Sequence, residues 1–216
     1  MDGTQSTSRA TGIVAIVTGV AAVVLLLNHP GEQATDFAGL LKDEAANLTI
    51  NAIVHGGYLF VLPLQIVCYA VLTGRIGFNR ALAIAGLVFF ATGAAIQMAD
   101  LLVDGFMLPT IATRYLAAPP DRVLYARALF VLCETAIQFL LPLGIGFQAV
   151  GIAMWGSVSI RRVPWAGSAG ITIGLLALAA TIGAMVTGMQ HLMLVAIVLL
   201  AIWALVAGLL LLRRTI

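Results

Sequence analysis

Charge is scarce in this chain: of 216 residues only 9% are Asp, Glu, Lys or Arg, against roughly 25% in soluble domains. So few charged groups cannot cover a water-exposed surface, which excludes a soluble globule. The formal net charge of +2 supplies no basic cluster of the kind that grips phosphates, so nucleic acid is excluded as a partner. Disorder is excluded by the opposite property, a hydrophobic share of 62%, because disordered segments have too little apolar surface to bury. The single lysine, Lys42, falls outside the apolar runs, so no Schiff base within a span is available. Cys68 and Cys133 lie inside apolar stretches, out of reach of pairing machinery, and no disulfide is expected. Neither G-x-S-x-G nor H-E-x-x-H occurs, which leaves the common hydrolase motifs without support.

What the sequence has in plenty is long apolar runs. A membrane span needs about 20 residues, and six segments satisfy that length: 10–28, 51–73, 81–109, 124–155, 164–184 and 191–212. The expected fold is all-α, one polytopic membrane domain over residues 1–216 built as a bundle of six transmembrane helices. The first run follows Arg9 as a signal peptide would, but Asn28-His29-Pro30-Gly31 offers no small-x-small cleavage site, so it is read as a retained span. Arg9, Arg75, Arg80, Arg161, Arg162, Arg213 and Arg214 fall on one side of a six-span chain, while residues 29–50 carry Glu32, Asp36, Asp43 and Glu44 against Lys42. The positive-inside rule then puts both termini in the cytoplasm. Residues 110–123 oppose the trend with Arg114 and Arg122 beside Asp121, without reversing it. The expected location is the cell membrane, multi-pass, of the bacterial inner-membrane type.

Within the outer connection of residues 29–50, Phe37, Leu40, Leu41, Ala45 and Leu48 recur at helical spacing, which predicts a short amphipathic helix lying at the interface. Small residues stripe two spans, Gly12, Ala15, Gly19 and Ala22 in the first and Ala166, Gly170 and Gly174 in the fifth. Such faces let helices approach closely, within the bundle or between copies. The halves share no pattern of prolines or polar residues, so an inverted repeat is not supported.

Ionisable groups within spans cost several kcal/mol, about 2.5–3.5 each at a helix centre on insertion scales, and so mark function or pairing. The third span carries Gln97, Asp100 and Asp104 on one face, and the fourth carries Arg127, Glu134 and Gln138 on one face. Joined by a short connection, these spans run antiparallel, in a register that sets Asp104 opposite Arg127 and Gln97 opposite Glu134. That predicts a structural ion pair of Asp104 with Arg127. His55 and Tyr58 lie near the outer end of the second span and His191 begins the sixth, while His29 caps the outer end of the first. All fall in the outer half, which points to a polar site open to the outside.

The leading expectation is therefore an integral membrane protein that binds or transports a small ligand, proton or cation through Asp100, Glu134, Gln97, Gln138, His55, Tyr58 and His191. Imidazoles and carboxylates are also the ligands of zinc, manganese and non-haem iron, so a metal ion held by His55, His191, Asp100 and Glu134, or a haem between His55 and His191, is the alternative, a membrane metalloenzyme or haem protein. A third is an accessory subunit whose Gly170/Gly174 or Gly12/Gly19 face docks a second copy or a larger membrane complex.

Overall fold

The computed structural model describes residues 3–31, 34 and 36–213, with the side chains of 3–6, 120 and 121 left aside; Glu32, Arg214 and the Asp121 side chain of the charge count lie outside the described residues. Every regular element described is helical: α1 (Gly3–Leu27), α2 (Phe37–Ala46), α3 (Leu48–Ile76), α4 (Ala81–Leu102), a π-helical turn (Val103–Met107), α5 (Leu108–Tyr115), α6 (Pro120–Ser159), α7 (Pro164–Thr187) and α8 (Gln190–Leu212). Six stretches are long and apolar enough to cross a membrane, Thr7–Leu27, Leu48–Ile76, Ala81–Tyr115, Arg122–Ser159, Pro164–Thr187 and Gln190–Leu212. Their length and composition are those of a multi-pass membrane protein. The six long helices close into a ring in chain order, α1 against α3, α3 against α4, α4 against α6, α6 against α7, α7 against α8, and α8 back against α1.

The stops have local causes. Gly77 ends α3 at φ 121° and Gly188 ends α7 at φ 69°, both in the left-handed region where glycine carries no Cβ penalty. Asp36 starts α2 by accepting the Gly39 N–H at 2.7 Å, which satisfies one of the free donors of a helix start. The expected amphipathic helix of residues 29–50 is thus present as α2. Its apolar side, Phe37, Leu40, Leu41 and Ala45, packs on Leu108 and Ala112 of α5 and Phe130 of α6.

Arginines gather at one end of the ring. Arg75 donates to Ser8 Oγ at 3.0 Å and to the Leu211 carbonyl at 3.1 Å, Arg80 to the Val158 carbonyl, and Arg162 to the Ile76 carbonyl. These are the unpaired carbonyls that every helix leaves at its C-terminus. The core beneath them is aromatic: Tyr69 meets Phe90 edge to face, centroids 4.5 Å apart, and the buried Trp155 N–H donates to Thr73 Oγ1 at 3.0 Å.

The small-residue faces are used inside the chain. A Cβ at Gly12 would meet the Gly208 carbonyl of α8 at 2.9 Å, and one at Gly170 would meet Gly156 Cα of α6 at 2.8 Å. Both faces thus serve close packing within the bundle, one of the two uses expected of them. Sequence reasoning passed over a stronger pair. Gly86 and Gly93 of α4 lie against Gly151 and Gly144 of α6, backbone to backbone.

That contact corrects the expected register. In the register that pairs Asp104 with Arg127, Gly93 would face position 138, and it faces Gly144 instead, six positions further along (144 against 138). The reason is length: hydropathy makes residues 110–123 a connection, but α5 runs on to Tyr115 and α6 begins at Pro120, so the hairpin turns later. Arg127, Glu134 and Gln138 are consequently exposed on the first part of α6, and Gln97 meets Gln148, not Glu134.

Candidate metal centre

Three Lewis bases converge at the end of the ring opposite the arginines. His29 lies two residues past the end of α1, His55 is in the second turn of α3, and Asp104 sits in the π-helical turn that follows α4. One ligand atom from each lies within 4.8 Å of the other two. His55 Nε2 is 3.0 Å from Asp104 Oδ2, and His29 Nε2 is 3.7 Å from the same oxygen. The two rings meet edge to face at 5.0 Å.

The hydrogen bonds decide which nitrogen is free. His55 Nδ1 is 2.9 Å from the Asn51 backbone oxygen, and His29 Nδ1 is 2.9 Å from the Pro30 backbone oxygen. A carbonyl only accepts, so each Nδ1 carries a proton and donates. In the neutral imidazole each Nε2 then presents a lone pair. His55 Nε2 lies within hydrogen-bond distance of a carboxylate oxygen, which also has only lone pairs to offer, so a proton or a metal ion must lie between these two; His29 Nε2 faces the same oxygen from 3.7 Å, with room for an ion between. A backbone carbonyl on the far ring nitrogen is the usual means of fixing a metal-binding histidine.

Local structure enforces this geometry. The π-helical turn adds a residue to one helical turn, a feature that recurs at functional sites, and it brings Gly105 against His55. A Cβ there would collide with the His55 Cβ and Cγ. Burial is graded, with the His55 side chain 3% exposed, Asp104 30% and His29 42%, so the site opens on the His29 side. The neighbouring Asp104 carboxylate holds the His29 imidazole above its ordinary pKa, against a smaller opposing effect of burial.

Asn51 connects the cluster to α2. Its side-chain amide donates to Glu44 Oε2 at 3.1 Å while its own carbonyl fixes His55. Both residues are buried, Asn51 at 4% and Glu44 at 8% exposure. Below the cluster, Asp100 is buried with one carboxylate oxygen that meets no donor, and one turn further Gln97 accepts from Gln148 at 2.7 Å.

The residues singled out from sequence divide accordingly. His55 joins the cluster; Asp100 and Gln97 lie on the α4 face that leads into it. Tyr58 does not join, since its hydroxyl donates to the Ala22 carbonyl at 2.6 Å and ties α3 to α1. His191 is exposed in the first turn of α8, and Glu134 and Gln138 are exposed on α6, so the expected set of His55, His191, Asp100 and Glu134 is not assembled among the described residues. The expected ion pair is also replaced: among the described residues, Asp104 has His55 and His29 as its partners, and Arg127 is exposed. His29, placed from sequence with the outer polar groups but not among the expected ligands, joins the cluster, and Glu44 and Gln148 were missed as members of the polar network. Of these two only Glu44 carried a signal, an acid in a connection directly outside two spans.

No protein-family model matches the chain, no curated protein matches it, and no solved structure matches its fold.

Proposed function

We propose that this is a membrane protein that binds one divalent first-row metal ion, of the zinc type, at His29, His55 and Asp104. The observation that carries the reading is the convergence of two Nε2 lone pairs and one carboxylate oxygen, with both Nδ1–H groups already tied to backbone carbonyls. Two imidazoles and a carboxylate suit zinc, iron or nickel, whose bonds to nitrogen and oxygen are about 2.0–2.2 Å. Ligands at that radius around one ion stand a little over 3 Å apart, near the separations of 3.0 and 3.7 Å seen at Asp104. Three protein ligands leave a further position open.

Depth supports access from outside. Taking the arginine-rich end as cytoplasmic, about 20 residues cross the hydrocarbon core. Thr7–Leu27, Pro164–Thr187 and Gln190–Leu212 fit that length, whereas Ala81–Tyr115 has 35 residues and Arg122–Ser159 has 38. Their surplus stands beyond the outer edge and forms, with α2, a cap around the site. Both termini are then cytoplasmic, and the ion enters from the outer face of the cell membrane.

Metal analysis of the purified protein tests this. The expected result is about one zinc per chain after exposure to zinc and washing, and none in His55→Ala. No retained metal in the wild type means that a proton holds the cluster, and the reading fails.

A transport reading is favoured by one observation, the buried polar residues Asp100, Gln97 and Gln148 that continue inward from Asp104. Zinc entry into proteoliposomes, abolished by Asp100→Asn, is its signature. Equal flux in the variant contradicts it.

A further inference from the structure

On the side opposite the arginine-rich end the positive-inside rule leaves few basic residues, yet Arg114 and Arg122 stand on either side of the short turn between α5 and α6. Arg114 is in the last turn of α5, where a cation suits the helix dipole. Arg122 is in the first turn of α6, where the same dipole disfavours a cation, so helix stability gives no reason for it. The turn is fixed by its own backbone: the Ala118 N–H donates to the Tyr115 carbonyl at 3.0 Å and the Arg122 N–H to the Pro119 carbonyl at 2.9 Å. Beside it lies a pocket of about 400 Å³, lined by Thr113, Arg114, Tyr115, Arg122 and Tyr125 together with the small residues of 117–119. No described carboxylate lines this pocket. Both guanidiniums are exposed, and among the described residues neither makes a hydrogen bond or an ion pair.

A space of this size takes a small organic molecule. A guanidinium is a planar fork of donors that fits two oxygens of one phosphate. Two such groups on one lining match a head with two negative charges, and a phosphate monoester carries about −1.5 to −2 at neutral pH, whereas a carboxylate carries one. The Tyr115 and Tyr125 rings offer flat apolar surface to the carbon part of such a ligand. We propose that the pocket at the α5–α6 turn binds a phosphate monoester, its phosphate held by Arg114 and Arg122 and its carbon part laid against the two tyrosines. The site shares no residue with His29, His55 and Asp104, so either can fail without the other. In the orientation proposed above it faces outward.

The test is calorimetric titration of the full chain in phosphatidylcholine nanodiscs with phenyl phosphate at low ionic strength. The expected result is saturable binding of one phenyl phosphate per chain, with benzoate at least about tenfold weaker because it brings one charge on the same ring. Arg114→Gln and Arg122→Gln should each weaken phenyl phosphate about tenfold, as loss of a charged hydrogen bond does, and the double variant should abolish measurable binding. Arg127→Gln removes an exposed arginine of the same α6 that is not on the lining and should behave as the wild type. Discs containing phosphatidic acid, compared with phosphatidylglycerol discs of matched surface potential, identify the source of the phosphate. Loss of phenyl phosphate binding in phosphatidic acid alone supports a lipid-borne monoester, and equal binding in both supports a soluble one. Absence of saturable phenyl phosphate binding in phosphatidylcholine discs overturns the proposal, as does benzoate binding of equal strength. Should the double variant fail to fold, the two single variants decide, and wild-type affinity in both overturns the proposal.

Discussion

His29 and His55 are read very differently from sequence and from structure, and the difference comes from backbone. Each is alone on its element, so no ligand spacing announces them. What makes them convergent is a π-helical turn at Val103–Met107 and a glycine that lets the turn approach the His55 ring, neither of which has a periodic signature. Asp104 was legible as a residue that needs a partner, because an acid in a span is costly; the partner was assigned to Arg127 through a register that the long hairpin shifts. Gly105 gives the residue-scale prediction. Gly105→Ala should push His55 off its position, costing about 1–3 kcal/mol as overpacking does and lowering zinc affinity about 10- to 100-fold, as loss of ligand support does. Thermal unfolding and zinc titration of the same sample check both numbers. An unchanged zinc Kd would mean that the ring position has no bearing on metal.

At the scale of elements, existence was readable and contact was not. Six apolar runs and one amphipathic connector follow from hydropathy and period alone, and each is present with ends moved by a few residues, the largest change being the extension of the third span to Tyr115. Which faces meet is a different matter, since almost every side chain in a span is apolar and small residues occur on several faces. The pairs Gly86 with Gly151 and Gly93 with Gly144 set the α4–α6 contact, because at each of them the two backbones touch. A methyl group at Gly93 would press on the Gly144 carbonyl and on the Gln148 N–H nitrogen, which cannot yield as a side chain does. Gly93→Ala should therefore destabilise the bundle by about 1–3 kcal/mol. Gly146→Ala on the same α6 meets only Leu178 Cδ1 at 3.8 Å and should be neutral or stabilising by up to about 1 kcal/mol, the helix-propensity difference. Equal melting temperatures for the two variants in one detergent would remove the close α4–α6 contact.

The whole molecule is polarised along its long axis, with arginines capping helix ends at one side and histidines with acids at the other. The proposed orientation puts the exposed Lys42 outside and the exposed Arg161 inside. Cysteine placed at each position should react with an impermeant maleimide from opposite faces of intact cells, Lys42→Cys at once and Arg161→Cys only after permeabilisation; Cys68 and Cys133 are buried and should stay silent. Labelling of both from one face would contradict the topology and the outward access that depends on it.

Metal-edge X-ray absorption on the zinc-loaded protein tests the central claim most directly, because it reads ligand atoms and not only stoichiometry. The account predicts two imidazole nitrogens with oxygen ligands at about 2.0–2.1 Å, falling to one imidazole in His29→Ala and losing the shell in the double variant His29→Ala/His55→Ala. A spectrum without an imidazole contribution, or one that both variants leave unchanged, would place the metal elsewhere and contradict the assignment of His29, His55 and Asp104 as its site.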